Sequence, residues 1–153
     1  MKILMVCLGN ICRSPLADAL LQEKVNKRGL NHIVDSAGTC DNHIGQSPDS
    51  RMTATAESFD LSINHLRARQ FEVSDFDNFD LIYAMDNSNF QNILSLARNE
   101  EDERKVKMIL DESHPKMQLE VPDPYFGGER GFIEVYNLLD NATDCIMNKL
   151  IKE

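Results

Sequence analysis

The feature that most constrains the fold is a continuous apolar run at residues 3–6, Ile-Leu-Met-Val, that ends in Cys7 and a polar turn. A strand with one wet face alternates apolar and polar side chains. A run without alternation suits a central parallel strand buried on both faces. Gly9, Asn10 and Arg13 follow, and Ser14-Pro15 opens a helix. Proline belongs in a first helical turn, where its missing N–H has no intrahelical partner to lose. Leu16, Ala19, Leu20 and Val25 recur at helical spacing, and Gly29 stops that helix.

The rest of the chain repeats this pattern. Ile33–Ala37 reads as a second strand that turns at Gly38-Thr39, and 40–47 as a loop. Residues 49–59 suit a helix with Met52, Ala56 and Phe59 on one face. Residues 60–79 are mixed, with short helical turns expected. Leu81–Met85 is a third strand, and Asp86-Asn87-Ser88 caps a helix whose stripe is Phe90, Ile93, Leu94 and Ala97. The charged run 99–107 reads as a solvated turn, Val106–Leu110 as a fourth strand, and 111–131 as a loop. Phe132, Val135, Leu138, Leu139, Ala142, Ile146 and Leu150 hold a helical period to the end. Strand and helix alternating four times imply an α/β fold with a parallel sheet and right-handed crossovers. Ligands bind such folds beyond the carboxyl ends of the strands, where Cys7 falls.

With 153 residues the chain fits one domain, 1–153. Its 16 basic and 25 acidic residues give a net charge of −9, which argues against a nucleic-acid surface. Any anion site must therefore be made locally, from an arginine and backbone N–H groups. No apolar run approaches the roughly 20 residues of a membrane span, so no membrane insertion is expected. The N-terminal run lacks a small-residue cleavage site and reads as a buried strand, not a signal peptide. The four cysteines, Cys7, Cys12, Cys40 and Cys145, show no zinc spacing. Reduced thiols in the cytoplasm, with no metal and no cofactor, are the expectation.

In the opening loop, a helix start and Arg13 both favour thiolate over thiol at Cys7, and the thiolate is the attacking form. Arg13 presents a planar fork that holds two phosphate oxygens at once. Ser14 either caps the helix or donates its hydroxyl to the Cys7 sulfur. A nucleophile of this kind also needs an acid for its leaving group. Asp18 lies inside the helix and is expected to face solvent. The other candidate is Asp123, held between Pro122 and Pro124. Tyr125-Phe126, two adjacent aromatics in a Gly-rich loop, suit the wall of an aromatic-substrate cleft.

Taken together, VCLGNICRSP (6–15), VDSAGT (34–39), GQSPDSR (45–51), INHLRARQ (63–70), MDNSN (85–89) and VPDPYFGG (121–128) resemble the low-molecular-weight protein tyrosine phosphatases over nearly the whole chain. The resemblance implies a three-layer, flavodoxin-like, doubly wound fold with a four-stranded parallel sheet, of the phosphatase I type. It implies that Cys7 attacks phosphorus and forms a phosphocysteine. Arg13 and the loop residues Leu8, Gly9, Asn10, Ile11 and Cys12 would bind the phosphate, and Asp123 would protonate the leaving phenolate. Asn10 would hold the loop in shape in a left-handed conformation. Ser36 and His65 match positions that hydrogen-bond this asparagine, and Asp86 matches a structural carboxylate. Cys12 matches a redox partner that forms a disulfide with oxidised Cys7.

Asn42 stands where many members carry Trp or Tyr, leaving Tyr125 and Phe126 for aromatic binding. His43 is expected to be a solvent-exposed loop residue, and Cys40 and Cys145 to be buried fillers. The implied substrate and partner is a tyrosine-phosphorylated protein or another aryl phosphate, acted on by a monomer. A rival reading, a thioredoxin-coupled arsenate reductase, needs a redox cysteine pair after the third strand, and residues 75–100 contain no cysteine. A non-catalytic phosphate-binding module would need neither Cys7 nor Asp123.

Overall fold

The structure, a computed structural model, describes residues 1–124 and 128–152. In chain order the elements are β1 (Lys2–Cys7), α1 (Arg13–Lys27), β2 (Ile33–Gly38), α2 (Ser50–Ser58), α3 (Asp75–Asn78), β3 (Leu81–Ala84), α4 (Asn87–Leu94), α5 (Glu100–Lys105), β4 (Val106–Met108) and α6 (Gly128–Lys152). A 3-10 turn, Ile109–Asp111, follows β4. The four strands form one parallel sheet in the order β2-β1-β3-β4. This is the doubly wound, flavodoxin-like arrangement.

The apolar run of β1 is central because both its faces are covered. Ile3, Leu4, Met5 and Val6 are all 0% exposed. Ile3 and Met5 join a core with Leu16, Leu20 and Leu21 of α1 and Val135, Leu139 and Ile146 of α6. Leu4 and Val6 point the other way, into a core with Phe71, Phe76, Ile82, Ile93 and Val106. Burying each such side chain is worth about 1.5–3 kcal/mol, so a polar residue anywhere in the run would unseat one layer. The chain leaves β1 toward β2 on one side and reaches β3 on the other. The resulting crevice lies beyond the ends of β1 and β3, and Cys7 and Asp86 stand there.

Three expectations are corrected. The charged run 99–107 is not a solvated turn but contains α5. Asn99 accepts the Asp102 N–H as its cap, four acids occupy the first turn and Arg104 and Lys105 the last. That polarity matches the helix dipole. Asp102 is buried and bonded by Arg98. The last helix starts at Gly128, ahead of the apolar period that begins with Phe132, so part of the expected 111–131 loop is helical. The fourth strand ends at Met108, and its expected tail is the 3-10 turn.

Candidate active site

The loop between β1 and α1 rests on the end of β2. Parallel pairing continues past the strands, with Thr39 N–H donating to Cys7 O at 2.9 Å and Cys40 N–H to Leu8 O at 3.0 Å. Gly38 lies so close beneath that a Cβ there would meet Leu8 O at 2.8 Å, Gly9 C at 3.0 Å and Asn10 N at 3.1 Å. Asn10 turns the loop with φ 57° and is 2% exposed. Its Oδ1 accepts the Arg69 main-chain N–H at 3.0 Å. That contact orients the amide, and Nδ2 donates to Ser14 Oγ at 2.7 Å.

The partners expected for Asn10, Ser36 and His65, are not the ones found. Residues 69–71 are bridged to Gly38, with Gly38 N–H on Arg69 O at 2.8 Å and Phe71 N–H on Gly38 O at 2.7 Å. That bridge brings a main-chain donor to the asparagine. The Ser36 hydroxyl instead serves the Asp18 carboxyl. His65 is exposed and lines a separate cavity with Asp18 and Asp35.

Cys7 is 3% exposed, and its sulfur receives the Asn10 N–H at 3.3 Å. Ser14 Oγ stands 3.0 Å from that sulfur and 3.3 Å from Ala37 O. The hydroxyl already accepts from Asn10, so its single proton has two destinations. It donates to the sulfur when Cys7 is a thiolate, and to Ala37 O when the sulfur needs no donor. The α1 N-cap, Cys12, makes no side-chain cap bond. Ser14 is thus not the cap but a part of the sulfur's environment.

Arg13 is 3% exposed. Its Nη1 donates to Asp86 Oδ2 at 2.7 Å and to Val121 O at 3.1 Å, and its Nη2 lies 3.9 Å from Asp123 Oδ2. Burial works against the guanidinium charge, but the charges of Cys7, Asp86 and Asp123 outweigh it, and the Arg13 pKa is raised. Asp86 serves two masters. Its Oδ1 caps α4 through the Asn89 N–H at 2.8 Å while Oδ2 takes Arg13. Val121 N–H is tied to Met85 O at 2.8 Å, which holds the Val121 carbonyl beside Arg13. Asp123, two residues on, has a side chain 42% exposed.

Cys7, Leu8, Gly9, Ile11, Cys12, Arg13, Cys40, Asn42, His43 and Asp123 line one cleft of about 190 Å³. Tyr125 and Phe126 lie outside the described residues. His43 is not simply a solvated loop residue. It is half-buried, its ring packs over Gly9, and its Nδ1 meets Gln46 Oε1 at 2.9 Å. Cys40 is half-buried in the cleft wall, and Cys145 is half-buried on α6, so neither is the buried filler expected. Burial, then the neighbouring Asp49 and Cys7 charges, push the Cys12 thiol far up, so it stays protonated. Asp18 does not face solvent. It is 4% exposed because α1 is buried from Arg13 through Leu21. Burial, reinforced by Asp35 and opposed by the Ser36 hydroxyl, raises its pKa to about 8.

A buried thiol, a fixed guanidinium and a carboxylate facing one cleft at the switch point of a doubly wound sheet define a cysteine-dependent anion site. A sequence model of the low molecular weight phosphotyrosine protein phosphatases matches residues 2–153. The enzyme of that description from Schizosaccharomyces pombe is 41% identical, with 88% of this chain and 87% of the relative covered. A crystal structure of a protein tyrosine phosphatase from Entamoeba histolytica superposes with a TM-score of 0.92 at 42% identity, covering 99% and 97% of the two chains. A structure titled as a Drosophila arginine phosphatase, DARP, gives a TM-score of 0.90 at 32% identity, with 98% of each chain covered. The chain belongs to the low-molecular-weight protein tyrosine phosphatases, and the arsenate reductase reading is not favoured.

Proposed function

We propose that the chain, one domain over 1–153, hydrolyses phosphotyrosine or a similar aryl phosphate in two steps at Cys7. The observation that carries this is the meeting of Cys7, Arg13 and Asp123 in one cleft, with Arg13 and Asp123 3.9 Å apart. In the first step the Cys7 thiolate attacks phosphorus, the ester P–O bond breaks, and Asp123 gives its proton to the leaving oxygen. In the second, Asp123 takes a proton from water, the water oxygen attacks phosphorus, and Cys7 leaves as thiolate. Arg13 and the N–H groups of residues 8–13 bind the equatorial oxygens, so positioning and charge stabilisation do most of the work. Asn42 and Ile11 line the cleft where the aryl group enters. Tyr125 and Phe126 are kept as further aryl contacts on the strength of the sequence.

Cys12 is kept as a redox guard. Peroxide converts Cys7 to a sulfenic acid, and the Cys12 sulfur displaces its hydroxyl as water to form a disulfide. The two thiols line the same cleft, which supports the pairing. Burial keeps Cys12 protonated, so it does not compete with Cys7 for phosphorus and must give up its proton as it attacks the sulfenic acid. The same proposal has the enzyme acting on a phosphorylated protein as a monomer in the cytoplasm, without metal. Four unpaired cysteines support the reducing compartment.

The test is turnover of para-nitrophenyl phosphate, phenyl phosphate, and phosphotyrosine and phosphoarginine peptides in the presence of a chelator. Wild type should favour the aryl substrates, Cys7→Ser should be inactive, and Asp123→Ala should lose most on phenyl phosphate, the poorer leaving group. An active Cys7→Ser would sink the mechanism, and faster turnover of phosphoarginine would overturn the substrate class.

A further inference from the structure

We propose that Arg69 is a positioning residue for the catalytic loop: its side chain, clamped between Asp75 and Asp35, holds its own main-chain N–H on Asn10 Oδ1. The inference rests on the reading that Cys7 attacks phosphorus from that loop.

Three consecutive contacts run inward from this arginine. The Arg69 N–H donates to Asn10 Oδ1 at 3.0 Å, Asn10 Nδ2 to Ser14 Oγ at 2.7 Å, and Ser14 Oγ lies 3.0 Å from Cys7 Sγ. The Arg69 carbonyl accepts the Gly38 N–H at 2.8 Å, so both main-chain groups of this residue face the loop and its floor. Asn10 is buried in the left-handed region, with its amide bonded at both ends, Oδ1 to the Arg69 N–H and Nδ2 to Ser14 Oγ. An asparagine in that state holds its geometry only if its acceptor has a fixed donor.

A main-chain donor has no rotamer of its own, so its position is set by what anchors the residue. Arg69 is anchored by its guanidinium. Nη1 and Nη2 each donate to Asp75 at 3.1 Å, a two-pronged bond, and Nη2 also reaches Asp35 Oδ2 at 3.2 Å. The Asp75 side chain is 5% exposed and is itself fixed by the Glu72 N–H at 2.8 Å. Asp35 belongs to β2, next to β1, and its other oxygen accepts the Ser36 N–H at 2.8 Å. The guanidinium carbon also sits 6.0 Å from the Phe79 ring centroid. One planar fork thus fixes Arg69 against α3 and β2 together, which the point charge of a lysine does not do. An arginine serving only to tie α3 to the sheet would need none of its main-chain groups on the loop. Phe71 N–H on Gly38 O ties the segment to the loop's floor independently of the Arg69 side chain.

The experiment is a double-mutant cycle of Arg69→Met with Asn10→Gly, which keeps the left-handed turn but removes the amide. Turnover of para-nitrophenyl phosphate and the affinity for inorganic phosphate, read by calorimetry, are measured with melting temperature as the fold control. Arg69→Met should lower kcat about tenfold and weaken phosphate by a similar factor, with Arg69→Lys between it and wild type. In the Asn10→Gly background the same change should cost less than about twofold. Losses that multiply, or an Arg69→Met enzyme with wild-type kcat and phosphate affinity, overturn the proposal. Should Arg69→Met not fold, the cycle is read with Asp35→Asn, which removes only the outer arm. A wild type that binds phosphate but turns over no aryl phosphate counts against the proposed reaction, and the phosphate affinities still decide the role of Arg69.

Discussion

Gly38 and Asn10 meet through bare backbone: a Cβ on Gly38 would lie 3.1 Å from the Asn10 nitrogen. The neighbours it would also strike, Leu8 O at 2.8 Å and Gly9 C at 3.0 Å, are main-chain atoms of the same loop and have nowhere to go. A Cβ on Gly9 would instead strike His43 Cδ2 at 2.9 Å, the end of a side chain that can turn away. The two glycines should therefore respond differently to alanine. Gly38→Ala should cost about 1–3 kcal/mol of stability by overpacking and abolish phosphate binding as the loop is pushed off its floor. Gly9→Ala should fold normally, keep its phosphate affinity within a few-fold, and release the His43–Gln46 contact. Denaturant unfolding and phosphate titration of the pair check this, and equal damage by the two would contradict it.

The Ser14 hydroxyl should matter most when sulfur leaves. In the first step Cys7 attacks as a thiolate already bonded to the Asn10 N–H at 3.3 Å. In the second the charge returns to the sulfur, and the Ser14 hydroxyl, at 3.0 Å, swings its proton from Ala37 O to meet it. Ser14→Ala should slow phosphocysteine hydrolysis by about 10²-fold or more, the scale of one lost donor to a developing anion, and slow its formation less. Rapid-mixing kinetics should then show a burst of phenol approaching one equivalent. A variant slowed in both steps alike, with no burst, would assign Ser14 a merely structural role.

How much of this was legible in the sequence differs by element. The run Ile3–Val6 pointed to a central parallel strand because it is short, lacks alternation and ends in a polar turn with Gly9, which a buried helix segment of that length would not. Cys7, Arg13 and Asp86 were legible through their motifs. Arg69 was not, although INHLRARQ was recognisable, because its contribution passes through a main-chain N–H and side-chain identity does not report where a backbone points. Gly38 read as a turn glycine, since its close approach to residues 8–10 exists only once β2 lies beside β1. The burial of Asp18 is not legible, because helical spacing predicts one buried face, whereas the first turns of α1 are enclosed all round. In the charged run at 99–107 the helical signal of α5 lies in the order of the charges, acids first and bases last, which composition does not carry.

Asp86 lets two functions be separated by one atom. Asparagine caps helices about as well as aspartate, so Asp86→Asn should leave α4 capped and stability within about 1 kcal/mol of wild type. The charge paired with Arg13 at 2.7 Å is then gone. The guanidinium loses its fixed orientation, yet a repelling carboxylate has also left the neighbourhood of the phosphate. Expected is a fall of about tenfold in kcat, of the size set by a misoriented clamp, with phosphate affinity unchanged or tighter. A parallel loss in both would mean that Asp86 acts by holding Arg13 within reach, not by aiming it.

Asp18 predicts an unusual pH dependence of stability. Its folded-state pKa of about 8 lies above the ordinary carboxylate value, because burial disfavours the charged form and Asp35 adds repulsion. The folded chain therefore holds a proton that the unfolded chain has released between about pH 4 and pH 8. The sign follows: this group's stabilisation is complete below about pH 4, declines as pH rises through that window, and is lost above about pH 8. Asp35, Glu23, Asp60, His65 and Lys27 line the adjoining cavity; of these Asp35 raises the Asp18 pKa, and the Ser36 hydroxyl opposes the rise. Asp18→Asn keeps the shape and cannot ionise, so comparison with wild type isolates this one group. Urea unfolding at pH 5, 6, 7 and 8 should show wild type losing up to about 1.4 kcal/mol per pH unit relative to the variant. Parallel curves would mean that Asp18 is ionised in the folded protein despite its burial, with a cation or water in the cavity compensating it.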